Sequence, residues 1–202
     1  MIEFSTGVQA SPLGKTYLFF LGQAGFILKS KRGELLGVDM YLTDCVERVE
    51  GHAGYHRLLP KILAPSELTF DTVIATHPHK DHFDDDAIPP LLVGGRTRLF
   101  ASVECEKDVK RLLMANTMIT YVRPGDRYVS GDFELDFVNC DHGKGAPDAV
   151  GVIITVDSKR ILVIGDSCLR LDRTEEYLKQ GPLDVMIAPI NGAYGNLNED
   201  EC

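Results

Sequence analysis

The sequence predicts an α/β layered protein with mixed sheets. Two observations carry that expectation. Short strand-like segments joined by tight turns dominate residues 16–76, and helical spacing enters only after residue 80, interspersed with further strands. A third bounds it: 202 residues, 44% hydrophobic and 25% charged, suit one large domain or two closely packed halves, read here as a single domain over 1–202.

Residues 16–21 are aromatic and β-branched, hence strand-like, with Tyr17, Phe19 and Phe20 expected in the sheet core. Gly22 to Gly25 make a turn, residues 26–29 return as a strand, Lys31-Arg32-Gly33 turn again, and residues 34–39 form a third strand ending on Asp39. Residues 40–68, punctuated by Gly51, Gly54, Pro60 and Pro65, read as a long excursion with a short helix near 58–63. Residues 72–76 are a buried-type strand. The acids Asp84 to Asp86 suit the N-terminus of a helix over 84–92. A strand over 98–101 precedes helical spacing over 104–114, with Val109, Leu112 and Leu113 on one face. Residues 118–122 are a strand, Pro124-Gly125-Asp126 a turn, and Tyr128, Phe133, Leu135 and Phe137 mark alternating strands. Residues 151–156 and 160–164 form a hairpin across Asp157-Ser158-Lys159. Residues 173–180 form a helix closed by Gly181-Pro182, and 185–188 are the last strand. Residues 196–201 resemble the start of a helix, a cap followed by acids, and the chain stops inside it; the expectation is a chain truncated at its C-terminus.

The formal net charge of −9 repels a polyanion, and no Lys/Arg run overrides it; Lys29, Lys31 and Arg32, the densest basic cluster, fit a hairpin turn. No nucleic-acid partner is expected. Nor is a membrane one, because no stretch approaches the roughly 20 apolar residues of a span. Residues 1–10 lack a basic region followed by an apolar one, so a signal peptide is not expected. The five cysteines are odd in number, widely spaced and without a CxxC pair, which favours free thiols in a reducing cytoplasm. Cys168 reads as a buried small hydrophobe. Self-association into a homo-oligomer stays open.

The chemistry concentrates in His77-Pro78-His79-Lys80-Asp81-His82, where four metal-ligand types fall within six residues. At a strand end, side chains at i and i+2 point the same way, so His77 and His79 can grip one ion together. A turn at Lys80 lets Asp81 and His82 reach a second ion. Imidazole suits zinc, iron and manganese; the carboxylate favours a harder ion or a catalytic role. His142 competes with Asp141 as a further ligand. Asp166 follows an apolar strand, where a plain turn is the rival reading. His52 and His56 lie in the irregular excursion, where surface positions are the default.

Thr76 to His82 resembles the T-H-x-H-x-D-H signature of the metallo-β-lactamase superfamily. Asp141-His142-Gly143 is similar to the family's third-histidine segment, and Ile164-Gly165-Asp166-Ser167 to its segment with a bridging aspartate. Leu21 to Gly25 resembles the first hairpin turn, and Val38-Asp39 an acidic strand end. Pro189-Ile190-Asn191-Gly192 resembles a segment of the L-ascorbate-6-phosphate lactonase-like branch. Together these cover residues 16–195.

The resemblance implies a four-layer αβ/βα sandwich lacking its C-terminal strand and helix, and an enzyme with two divalent metal ions, zinc first, manganese or iron otherwise; the cysteines put it in the cytoplasm. His77, His79 and His142 would hold the first metal. Asp81, His82 and the bridging Asp166 would hold the second, to which the family adds a histidine beyond residue 198 that this sequence does not contain. The implied mechanism is metal-assisted hydrolysis: hydroxide formed at the ions opens a lactone, ester or amide of a small substrate, a phosphorylated sugar among them, while catalytic Asp81 orients it and relays its proton. Asp39 or Thr76 would steady a liganding histidine. Arg57, Lys61 and Lys80 are the cations a phosphate could meet. Alternatives are a redox protein or nuclease on the same fold, or a non-catalytic truncated fragment.

Overall fold

The computed structural model describes residues 3–115, 118–179 and 181–202. Gln180, placed by the sequence at a helix end, and Met1 and Ile2 lie outside the described residues.

Six strands run in sequence order across the first sheet: β1 (Tyr17–Phe20), β2 (Phe26–Lys29), β3 (Leu35–Val38), β4 (Thr72–Ala75), β5 (Arg98–Ser102) and β6 (Ile119–Val122). The first three pair antiparallel and β3 to β6 parallel, so the sheet is mixed, as the sequence predicts. The second sheet contains β7 (Arg127–Ser130), β8 (Phe133–Asn139), β9 (Val150–Val156), β10 (Lys159–Val163) and β11 (Val185–Ile187) in the order β11-β10-β9-β8-β7. Only its β10–β11 pair is parallel.

The sheets pack face to face. Leu36, Ile74 and Phe100 of the first meet Phe133, Phe137, Val152 and Val163 of the second in one apolar layer. The other face of the first sheet is covered by α1 (Phe4–Ala10), α3 (Ile88–Leu91) and α4 (Glu106–Arg111), through Val8, Ile88 and Val109. Tyr177 of α5 (Leu171–Leu178) covers the other face of the second. The result is the expected αβ/βα sandwich. Strands β3 and β4 run parallel to each other, and β8 and β10 run parallel through their shared antiparallel neighbour β9, so the loops after them converge in two pairs. No described helix is long and apolar enough to cross a membrane.

Several elements differ from the sequence expectation. The helix expected near 58–63 is absent: Pro60 interrupts it, and the excursion instead holds α2 (Cys45–Glu50) and a 3-10 turn over Gly51–Ala53. The helix expected over 84–92 shrinks to α3. Asp84 is buried, and its carboxylate accepts from the backbone N–H groups of Leu42, Thr43, Asp86 and Ala87, tying two loops together before the helix begins. Helix α4 stops at Arg111; Leu113, at φ 52°, turns out to solvent rather than joining Val109. Helix α1 was not foreseen. Its C-terminal carbonyls take the buried Lys29 ammonium, which donates to Val8, Gln9 and Ser11, so this lysine is more than a hairpin-turn residue. Phe20 is half exposed rather than core, and Cys168 is exposed rather than buried. Near the C-terminus Asn198 caps a turn, accepting from the N–H groups of Asp200 and Glu201.

Candidate metal centre

The site begins with a buried carboxylate. Asp39 leaves β3 at φ 49°, a left-handed conformation that aspartate adopts more readily than most side chains. That bend aims its buried side chain across the end of β4. Oδ1 accepts the Thr76 N–H at 2.8 Å, and Oδ2 accepts the Thr76 hydroxyl at 2.8 Å and His82 Nδ1 at 2.9 Å. The Thr76 oxygen, having given its proton to Asp39, accepts from His77 Nδ1 at 3.0 Å. This network puts hydrogen on both Nδ1 atoms and turns Nε2 of His77 and of His82 away from Asp39.

The 76–82 loop then turns on itself, with the N–H groups of His82 and Phe83 bonded to the His79 carbonyl. Behind it, Lys80 points inward to Asp85 and Asp108, both also bonded to Arg111. The loop is thereby fastened to α4.

His142 and Asp166 arrive from the second sheet. His142 follows β8, and the rival ligand Asp141 is committed elsewhere, paired with Arg170 and Arg173. Asp166 follows β10 through Gly165 at φ 67°, where a Cβ would sit 3.4 Å from both Cys140 Sγ and Thr76 Oγ1. The positive φ explains glycine at this position.

Two ligand sets result. Nε2 of His77 and Nε2 of His142 each lie 3.0 Å from Nδ1 of His79. His77, His82 and Asp166 form the second group able to hold an ion, with His82 Nε2 3.4 Å from Asp166 and 3.8 Å from Asp81. The structure therefore brings together all six residues singled out in the sequence. His77 belongs to both groups. Asp81 lies at their edge, its carboxylate accepting from Gln23 at 3.2 Å.

The donors fit a cation. One N–H on His79 Nδ1 can serve only one of its two nitrogen neighbours, leaving the other lone pair facing a lone pair; an ion serves all three. Tetrahedral zinc with bonds of about 2.0–2.1 Å would set its ligands roughly 3.3 Å apart, close to the spacing seen. Electrostatics agree for the first set. Burial, then the neighbouring histidines, hold His77 well below the usual imidazole range, so it is neutral and able to ligate. Burial also lowers His142. Burial would push His82 down as well, but Asp39, Asp81 and Asp166 outweigh it and hold it well above the usual range. Burial would raise Asp166, but its contacts with His82, Asn196 and His142 bring it to about 2.

A cavity of about 350 Å³ opens over His79 and His142, and one of about 570 Å³ over His82; Gln23, Asp81, Asp166, Asn191 and Asn196 line both. Three of these were missed as site residues. Gln23 reads as a turn residue, and Asn196 as part of a helix start, yet Asn196 lies against Asp166 with its Oδ1 buried and unpartnered. Tyr194 carries no sequence signal beyond an aromatic ring between glycines. His56 lines the smaller cavity, and His52 is simply exposed. Of the proposed phosphate-binding cations, Arg57 donates to the Tyr41 carbonyl and stacks on its ring, Lys61 pairs with Asp44, and Lys80 faces its two aspartates. Arg57 and Lys80 are thus committed to protein partners, and Lys61 is held only by a surface pair. A third group, Cys45, Asp84 and Asp86, is occupied by its own contacts: Arg48 bonds Asp86 and Cys45, and Asp84 is saturated by backbone N–H groups.

Residues 17–201 match the family model described as a Beta-lactamase superfamily domain. A UPF0173 metal-dependent hydrolase of Anaeromyxobacter dehalogenans (strain 2CP-C) is 26% identical over 199 residues, covering 90% of this chain and 66% of the relative. The chain thus spans just under two thirds of that relative. Igni18, described as a novel metallo hydrolase from Ignicoccus hospitalis KIN4/I, superposes with a TM-score of 0.66 at 17% identity over 92% of this chain and 75% of its own. CmlA, a diiron β-hydroxylase from Streptomyces venezuelae, gives 0.61 at 19% identity over 87% of this chain and 34% of its own. At these identities the two structures share the fold.

Proposed function

This chain belongs to the beta-lactamase superfamily of domains, and on that premise we propose that it is a metal-dependent hydrolase opening a lactone, ester or amide of a small substrate. The observation that carries the reading is the convergence of three histidine nitrogens on one point, with His82, Asp81 and Asp166 beside it.

In this reading His77, His79 and His142 hold one metal, and Asp81, His82 and Asp166 hold a second. When bound, the metals supply Lewis acidity and make water a nucleophile near neutral pH. The chain's own residues do the rest. Asp39 fixes the tautomers of His77, through Thr76, and of His82 directly. Asp81, held by Gln23 and partly open to the cavities, takes the proton of the attacking water. The walls of the two cavities orient the substrate.

A second reading has one specific support, the similarity to a diiron hydroxylase: the same six donors accept iron. Elemental analysis of protein purified without chelators or a histidine tag, with assays on uncharged lactones and esters, tests both. About two equivalents of zinc or manganese with hydrolysis support the proposal. Two equivalents of iron with an oxygen-dependent activity and no hydrolysis would replace it with the second reading. No bound metal, even after reconstitution, would refute both.

A further inference from the structure

We propose that the cavity of about 350 Å³ is a specificity subsite for an uncharged, ring-bearing part of the substrate, with Tyr194 and Tyr55 as its aromatic wall. The inference rests on the hydrolase reading and adds the substrate class.

Tyr194 carries the first argument. Its φ is 59°, a left-handed conformation that is an outlier for a bulky side chain, and it lies between Gly192 and Gly195, which share the positive φ. This conformation projects a ring that is 73% exposed. That ring meets Tyr55 edge-on, with centroids 6.1 Å apart, joining the 40–68 excursion to the segment after β11. Tyr41 and Val46 line the same cavity as His79, His142 and Asp81. An apolar ring placed there lies beside the proposed reaction centre.

Charge carries the second. Lys80 is the one cationic lysine or arginine among the described lining residues, and its ammonium is turned away to Asp85 and Asp108. Glu50 adds a carboxylate to the wall. A phosphate held away from the metals would therefore meet an acidic side chain and no free lysine or arginine, with His56, tied through Nδ1 to the Gly54 carbonyl, as the one imidazole outside the histidine cluster, whereas an uncharged ring finds aromatic edges and faces.

The test uses the metal-loaded protein with dihydrocoumarin, δ-valerolactone and a sugar lactone phosphate. Expected is a KM for dihydrocoumarin at least tenfold below that for the phosphate. Tyr194→Gly, which relieves the backbone strain, should raise the dihydrocoumarin KM about tenfold with no fall in Tm, and Tyr194→Phe should restore it. Preference for the phosphorylated lactone, or a KM insensitive to Tyr194→Gly, overturns the subsite. If no lactone is opened, the hydrolase reading fails for this class. The subsite is then read separately by calorimetry with 2-tetralone, a ring ketone with no bond to hydrolyse: saturable binding lost in Tyr194→Gly supports it, and no binding overturns it.

Discussion

Asp39 and His82 lie 43 positions apart, yet a 2.9 Å hydrogen bond joins Oδ2 of one to Nδ1 of the other, and the same oxygen holds Thr76. One buried carboxylate thus orients a histidine in each ligand set. Asp39→Asn removes the charge and one acceptor. Metal affinity should fall about 10- to 100-fold, the usual effect of losing a partner behind a liganding histidine. Competition with a chromophoric chelator measures it; an unchanged affinity would remove Asp39 from this role.

The buried cluster behind the loop predicts an acid limit to stability. Burial would raise Asp108, but hydrogen bonds from Arg111 and Lys80 outweigh it and lower its pKa. A folded-state value below the unfolded one stabilises the fold above the ordinary carboxylate range, and the contribution disappears as pH falls through the folded value. Asp108→Asn should cost about 1–3 kcal/mol at neutral pH and lose less on acidification than the parent. Urea unfolding from pH 7 to pH 3 checks the sign; parallel losses in both proteins would contradict it.

Gly165→Ala should destabilise by about 1–2 kcal/mol, because a side chain at positive φ is strained. Since Gly165 delivers Asp166, the second metal equivalent should weaken more than the first. Thermal unfolding and metal titration give the two readouts, and equal weakening of both equivalents would show that Asp166 is not the affected group.

Thiol accessibility gives a check independent of metal. Cys168 and Cys202 are exposed, while Cys45, Cys105 and Cys140 are buried, with burial lifting Cys45 to about 11 and Cys105 to about 12. Two thiols should react with Ellman's reagent in the native state and three only after unfolding. A third fast thiol would mean that one of the buried positions opens.

The strands were legible in the sequence because alternation, β-branching and Gly/Pro turns are local signals: β1 to β6 and β9 to β11 lie within a residue or two of where those signals put them, and β7 and β8 contain the residues that marked them. Helices were less so. The lengths of α3 and α4 depended on Asp84 being claimed by a distant loop and on Leu113 leaving the helix, which nothing in the neighbouring residues announces. Lys29 could not be read as a helix cap, because its partners precede it by some 20 positions.

The sequence by itself determined that His77, His79, Asp81 and His82 share one strand-end loop, because covalent spacing alone keeps them within a few ångströms. Tertiary structure decided the rest. His142 lies 63 residues from His79, and chain connectivity places no limit on a separation of that size; only the packing of the second sheet on the first brings their nitrogens to 3.0 Å. The same packing placed Asp166 against His82 and Tyr194 beside Tyr55, because the meeting of loops from different sheets is set by how the apolar faces between them are buried.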